Sequence, residues 1–208
     1  MYIRNLRKPS PNKNIYKFAS AKNKAVVMCE GSLEFDCCFH LEYDPDVVSY
    51  KSQPKGYMYD YEGKQLPYTP DFLVCYSDGS SCLLEIKPYS KTLNLEFQAR
   101  FQARKAAATA CGVNLILVTD KQLHTGPFLD NCKLIHRYSG CIEGGQLSKT
   151  IHDKIAIEKR LTIRAIADYI KVSIGEVFSA VFRLISIGVA SVNIESELLS
   201  ENSVISVN

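Results

Sequence analysis

At 208 residues the chain is long enough for one sizeable core, or for one domain with an appendage. Hydrophobic residues make up 46% and charged residues 23%, which excludes global disorder, and no run of about 18 apolar residues exists to span a membrane. The net charge of +3 is unevenly spread: residues 1–30 hold seven Lys/Arg against the single acid Glu30, whereas residues 150–208 hold six basic and seven acidic residues.

The start, "MYIRNLRKPSPNKNIYKFASAKNK", is positively charged but has no apolar h-region, so no secretory signal is expected. Residues 1–20 read as a basic arm that is either a phosphate-contacting element or a solubilising tail, with Lys22 and Lys24 as further candidate DNA contacts. Eight cysteines lack any C-x-x-C pair, and Cys37 and Cys38 are adjacent. They read as buried free thiols of a reducing cytoplasm rather than as disulfides or a zinc site.

Along the chain, "GSLEFDCCFHLEYD" predicts a helix capped by Ser32 and ended by Asp44-Pro45. "VVSYKSQ" and "YMYDY" predict strands, and "EGKQLP" turns the chain into the strand "YTPDFLVCYS". An Asp78-Gly79 turn leads to the strand "SCLLEIK", closed by Pro88. "TLNLEFQARFQARKAAATACG" predicts a helix capped by Thr92 and stopped at Gly112. "VNLILVTD" is a continuous apolar run, hence a buried strand pairing in parallel, and "CKLIHRY" predicts a further strand. The order describes an α/β domain, a mixed sheet with helices on its faces, over residues 21–142. "YSGCIEGG" marks the boundary to a second domain over residues 148–208. There, three segments of helical periodicity precede two short strands, "ASVNI" and "SVISV", which is the pattern of a winged helix.

The candidate chemistry centres on Asp71, Glu85 and Lys87. Glu85 and Lys87 are two apart on one strand and leave the same face. A hairpin loop of two or four residues sends the Asp71 carboxylate to the other face; a loop of three or five pairs Asp71 with Lys87 and gathers all three charges. Two close carboxylates repel unless a cation neutralises them. Mg²⁺ with one or two carboxylates, waters and a phosphate oxygen is one solution. A lysine beside it orients or deprotonates the attacking water, or stabilises charge on the phosphate. A structural ion pair on an exposed sheet face is the competing reading, because D-x(13)-E-x-K alone is a weak pattern. Glu34 lies on a mostly apolar helix stripe with Cys37, Cys38 and Leu41, where a carboxylate is costly unless paired or metal-bound. Glu30, one turn earlier, replaces it if the helix phase differs.

"YTPDFLV…LLEIK" resembles the PD-(D/E)xK signature of restriction-endonuclease-like nucleases. The larger set "GSLEFDCCFHLEYDPDVVSYKSQP…YTPDFLV…LEIKP…LVTD" is similar to the TnsA family, the endonuclease subunit of Tn-seven-like transposons, CRISPR-associated ones included. The resemblance implies a restriction-endonuclease-like mixed sheet plus a C-terminal winged-helix domain. It implies Glu34, Asp71 and Glu85 as ligands of Mg²⁺, for which Mn²⁺ substitutes, with the Ile86 carbonyl as a further ligand and Lys87 as the catalytic cation. It also implies the reaction, hydrolysis of double-stranded DNA at the 5′ ends of a transposon during cut-and-paste transposition in a bacterial cytoplasm. A DDE transposase would cut and join the 3′ ends, and an AAA+ ATPase regulator would dock on the C-terminal domain.

Gln53 is a candidate buttress of the site. Gln98, Arg100, Gln102, Arg104 and Lys105, on the helix after the E-x-K strand, lie either where a phosphate backbone passes or on a solvated face. The second helix of the tail offers only Glu176 and Arg183 to a groove, which favours protein docking over base reading. Two rival functions share the pattern: a stand-alone restriction or recombination nuclease, and a non-catalytic DNA-binding adaptor on a nuclease-like scaffold. The weakly charged tail counts against the first, and the intact acids and Lys87 against the second.

Overall fold

The computed structural model describes residues 14–139 and 145–207. The chain packs as two compact units, Met1–His124 and Thr125–Asn208. Residues 1–13 of the expected arm and 140–144 of the expected boundary lie outside the described residues.

The first unit opens with an antiparallel hairpin, β1 (Tyr16–Ser20) and β2 (Ala25–Cys29), where the sequence predicts the end of a basic arm. Phe18, Ser20, Val27 and Cys29 are buried in alternation, so a half-apolar face outweighs the charge of Lys17. α1 (Ser32–Tyr43) follows, with Gly31 rather than Ser32 at the N-cap and the Glu34 carboxylate accepting the Glu30 N–H at 2.9 Å. It stops before Asp44-Pro45, as expected. Glu42 is buried at the other end of α1 and is fully hydrogen-bonded. Its carboxylate accepts from the hydroxyls of Ser20 and Tyr50, both at 2.7 Å, and from the N–H groups of Ala21 at 2.8 Å and Lys22 at 3.1 Å. These bonds hold the β1–β2 turn against α1 and β3 (Val47–Ser52), and they make the buried charge tolerable.

β4 (Tyr57–Tyr61) and β5 (Lys64–Tyr68) form a two-stranded ribbon turned by Glu62-Gly63, both with positive φ. Residues Lys64–Pro67, expected as turn, are therefore strand. Pro67 is accommodated because each strand of a two-stranded ribbon is an edge. β6 (Phe72–Tyr76), β7 (Ser81–Lys87), α2 (Tyr89–Thr92), α3 (Leu95–Ala110), β8 (Asn114–Thr119) and α4 (Asp120–Leu123) complete the unit. The cap of α3 is Asn94, whose side chain accepts the Phe97 N–H at 2.9 Å, not Thr92. Gly112, at φ +78°, stops that helix as predicted.

The central sheet has the order β3-β6-β7-β8, antiparallel except for the β7–β8 pair, which is parallel as the apolar run predicts. On one face Phe101 and Ala108 of α3 cluster with Tyr59, Tyr68, Leu83 and Leu115. Burying a ring such as Phe101 contributes about 1.5–3 kcal/mol. By strand alternation Cys82, Leu84 and Ile86 turn to the opposite face, where α1 packs on β7. Glu85 and Lys87 thus emerge on the α3 side.

The second unit comprises α5 (Phe128–His136), α6 (Gln146–Glu158), β9 (Arg160–Thr162), α7 (Ile163–Ile170), α8 (Ile174–Ser186), β10 (Ala190–Ser191) and β11 (Val204–Val207). The strand predicted for "CKLIHRY" is helix instead. Leu129, Cys132 and Ile135 recur every third residue and are buried, a helical stripe that a seven-residue window reads as alternation. β9, unforeseen because three residues carry no period, joins a small antiparallel sheet of order β10-β11-β9. Thr162 caps α7, and a reciprocal Ser173–Glu176 pair caps α8. The unit buries Ile151, Ile155, Ile163, Ile166, Val177, Phe182 and Ile205. Asn131 on α5 is also buried. Its amide donates to the carbonyls of Ile194 at 3.0 Å and Glu197 at 2.8 Å and accepts the Leu199 N–H at 2.9 Å, which holds the segment 194–199.

Among the described residues no helix is long and apolar enough to cross a membrane. Cys29, Cys37, Cys38, Cys82 and Cys132 are free and buried, as the sequence predicts, whereas Cys75 is free but half-buried and Cys111 free but exposed.

Candidate active site

The β6–β7 hairpin closes through three residues, Ser77 to Gly79. The Tyr76 N–H donates to the Ser80 carbonyl at 3.0 Å, the Gly79 N–H to the Tyr76 carbonyl at 3.1 Å, and Gly79 takes φ +84°. The loop is odd-length, so Asp71 shares the face of Glu85. The register pairs Phe72 with Leu84, which places Asp71 beside Glu85 rather than opposite Lys87 as expected. The ladder is irregular at that point. The Asp71 N–H donates to the Leu84 carbonyl at 2.9 Å, and the Ile86 N–H donates to Asp71 Oδ2 at 2.7 Å. The backbone of β7 therefore orients the Asp71 carboxylate.

Asp71 is 8% exposed and Glu85 3%. Lys87 Nζ lies 3.1 Å from Glu85 Oε1 and 3.9 Å from Asp71 Oδ2. The Tyr68 hydroxyl donates to Glu85 Oε2 at 2.5 Å, and Arg104 Nη1 lies 3.6 Å from Oε1. Burial, reinforced by the Glu85 charge, pushes the Tyr68 phenol well up, so it remains a donor. Burial and then the neighbouring Glu85 charge push the Asp71 carboxyl up to about 7, with Lys87 opposing and Glu34 adding to the rise. At Lys87 burial lowers the pKa, but the Asp71 and Glu85 carboxylates outweigh it and the net shift is upward. Lys87 is thus firmly an ammonium in the metal-free site.

Residues 44–120, spanning β3 to β8, match the family described as the TnsA-like endonuclease N-terminal domain. This part of the chain is a TnsA-like endonuclease domain. No curated protein matches the chain. The matched segment holds Asp71, Glu85 and Lys87, and it points to a transposition endonuclease. Glu34 precedes it.

Within the TnsA-like domain the acids suit a hard divalent cation. Among the described residues no three His, Cys, Asp or Glu converge into a ready cage. Mg²⁺, however, needs only one or two carboxylates and keeps its waters. Asp71 and Glu85 are both buried carboxyl groups, a donor set of hard oxygens, and among the described residues their only nearby ammonium is Lys87. Asp71 and Glu85 are the residues that could hold such an ion. Glu34, half-buried in the first turn of α1, is close enough for its charge to act on both Asp71 and Lys87.

A cleft of about 610 Å³ opens over the pair and is lined by Tyr68, Asp71, Glu85, Lys87, Arg100 and Arg104 among others. Arg104 stacks over the Tyr68 ring at 4.4 Å and the Tyr59 ring at 5.4 Å; Arg100 lies 5.2 Å over Tyr61 and pairs with Glu96 at 2.9 Å. The other candidate DNA contacts lie elsewhere. Gln98 donates to the Thr92 carbonyl at 2.9 Å, Gln102 and Lys105 are exposed on α3 away from the cleft lining, and Lys24 sits in the β1–β2 turn. Lys22, another candidate DNA contact, turns its ammonium onto the chain. Its ammonium donates to the carbonyls of Leu41, Asp44 and Val47, tying the C-terminal end of α1 to the start of β3. The ties of Tyr68 and Arg104 to Glu85 escape sequence analysis, since a tyrosine three residues before an aspartate is too common to single out.

Proposed function

We propose that the chain is a metal-dependent DNA endonuclease that cleaves the 5′ ends of a transposon during cut-and-paste transposition. It would act with a DDE transposase and an AAA+ ATPase regulator in a bacterial cytoplasm. One observation carries the reading: Asp71, Glu85 and Lys87 share one face of a cleft, with two arginines beside them, inside a TnsA-like endonuclease domain. Asp71 and Glu85 would hold Mg²⁺ or Mn²⁺, with Glu34 and the Ile86 carbonyl as further ligands, and such an ion would supply positive charge to the phosphate and acidify a water. The Ile86 N–H keeps Asp71 in place, and Tyr68 keeps Glu85 in place. Lys87, an ammonium in the metal-free site, donates to the phosphate as charge develops there. Arg100 and Arg104, their planes set by tyrosine rings, follow the DNA backbone.

The second unit serves as a winged helix that docks the regulator. The arrangement of α6, β9, α7 and α8 with β10 and β11 supports this, as does the scarcity of basic groups on α8. The test is transposition with the partners present. Asp71→Ala and Lys87→Ala should fold, lose 5′-end cleavage by about 10²–10⁴-fold, and retain 3′-end joining. Wild-type cleavage by Asp71→Ala would falsify the site.

A further inference from the structure

Gln53, just after β3, is bonded through its backbone to the residue that supplies one of the acids. The pairs Ser52 with Phe72 and Phe72 with Leu84 define the last regular row across β3, β6 and β7, and Gln53, Asp71 and Glu85 each lie one residue beyond it. The Gln53 N–H donates to the Asp71 carbonyl at 2.8 Å. The side chain is 6% exposed, and neither Oε1 nor Nε2 has a hydrogen-bond partner. The backbone takes φ +45°, a left-handed conformation that a non-glycine residue rarely adopts. An amide buried with both ends unpaired is disfavoured unless something other than the chain pairs with it. Methionine would fill the same space at no polar cost, so packing alone does not account for a glutamine here.

We propose that Gln53 is a positioning residue of the nuclease site, its amide pairing with hydration water that enters with the divalent cation beside Asp71. Water meets both ends of the amide, donating to Oε1 and accepting from Nε2, whereas a bare cation meets only Oε1. The inference rests on the metal-dependent reading above and deepens it.

The test compares the full-length wild type with Gln53→Met, Gln53→Asn and Asp71→Ala, by Mn²⁺ titration calorimetry and by thermal unfolding without metal. Gln53→Met, which keeps length but removes the amide, should unfold at or above the wild-type temperature and bind Mn²⁺ about tenfold or more weakly. Wild-type Mn²⁺ affinity in Gln53→Met overturns the role of Gln53 and leaves the metal reading standing. If Gln53→Met loses cooperative unfolding, Gln53→Asn decides, because asparagine tolerates the left-handed backbone while withdrawing the amide by one methylene. Weakened Mn²⁺ binding there supports the role, and wild-type binding overturns it. A wild type that binds no Mn²⁺, or Asp71→Ala binding as wild type, removes the metal reading and this inference with it.

Discussion

At Asp71 burial and the Glu85 charge favour the neutral acid, while Lys87 and the Ile86 N–H favour the carboxylate. Burial wins in the metal-free protein and moves the pKa from 3.8 to about 7. A carboxyl group raised in this way stabilises the fold while protonated. Its contribution is full below the unfolded value and is lost as pH rises through the folded one. Metal-free wild type should therefore lose thermal stability relative to Asp71→Asn as pH climbs from about 4 to 7, and Mn²⁺ should remove that difference at neutral pH. Thermal unfolding across this range checks both statements; a constant gap between the proteins means that Asp71 is ionised throughout. The same balance explains why Lys87 is better suited to stabilising phosphate charge than to taking a proton from water. With Glu85 and Asp71 beside it holding its pKa up against burial, Lys87 has no neutral amine to offer.

The β6–β7 hairpin shows what one element contributes. Its three-residue loop makes the register odd and puts Asp71 on the face of Glu85. Gly79 at φ +84° permits that loop, and an added Cβ would meet no neighbour, so the cost of a substitution is conformational. Gly79→Ala should lower stability by about 1–2 kcal/mol in urea unfolding, without a change in slope. Glu85 and Lys87 on one face were legible from strand period alone. The partner of Asp71 was not, because "DG" is compatible with several loop lengths that differ by one residue in closure. The predicted helix cap at Thr92 was two residues early, because Asn94 competes for the same role and the short α2 intervenes. The β1–β2 hairpin was hidden by its lysines, which point outward or, at Lys22, onto carbonyls.

Over the whole molecule the cleft residues all come from the unit Met1–His124, while Asn131 and the segment it holds belong to the unit Thr125–Asn208. Asn131→Ala leaves two carbonyls and one N–H without their partner, at about 1–3 kcal/mol for each group that water does not reach. Calorimetry should record a lowered unfolding temperature for this variant, and Mn²⁺ titration an unchanged affinity. A fall in Mn²⁺ affinity would mean that the site depends on the second unit.

Local pattern by itself determined the order of most elements, the parallel β7–β8 pair, the shared face of Glu85 and Lys87, and the resemblance that the family match over residues 44–120 supports. Period and turn chemistry are properties of neighbouring residues, so they survive in one dimension. Tertiary structure alone decided that Tyr68 and Arg104 hold Glu85, that Lys22 bonds the carbonyls at the end of α1, and that "CKLIH" is helical. It also decided that the Gln53 side chain stands unpaired while its backbone is bonded to Asp71. Each of these depends on groups distant in the chain meeting in a buried place, where the loss of water sets which charges pair and which wait for a partner.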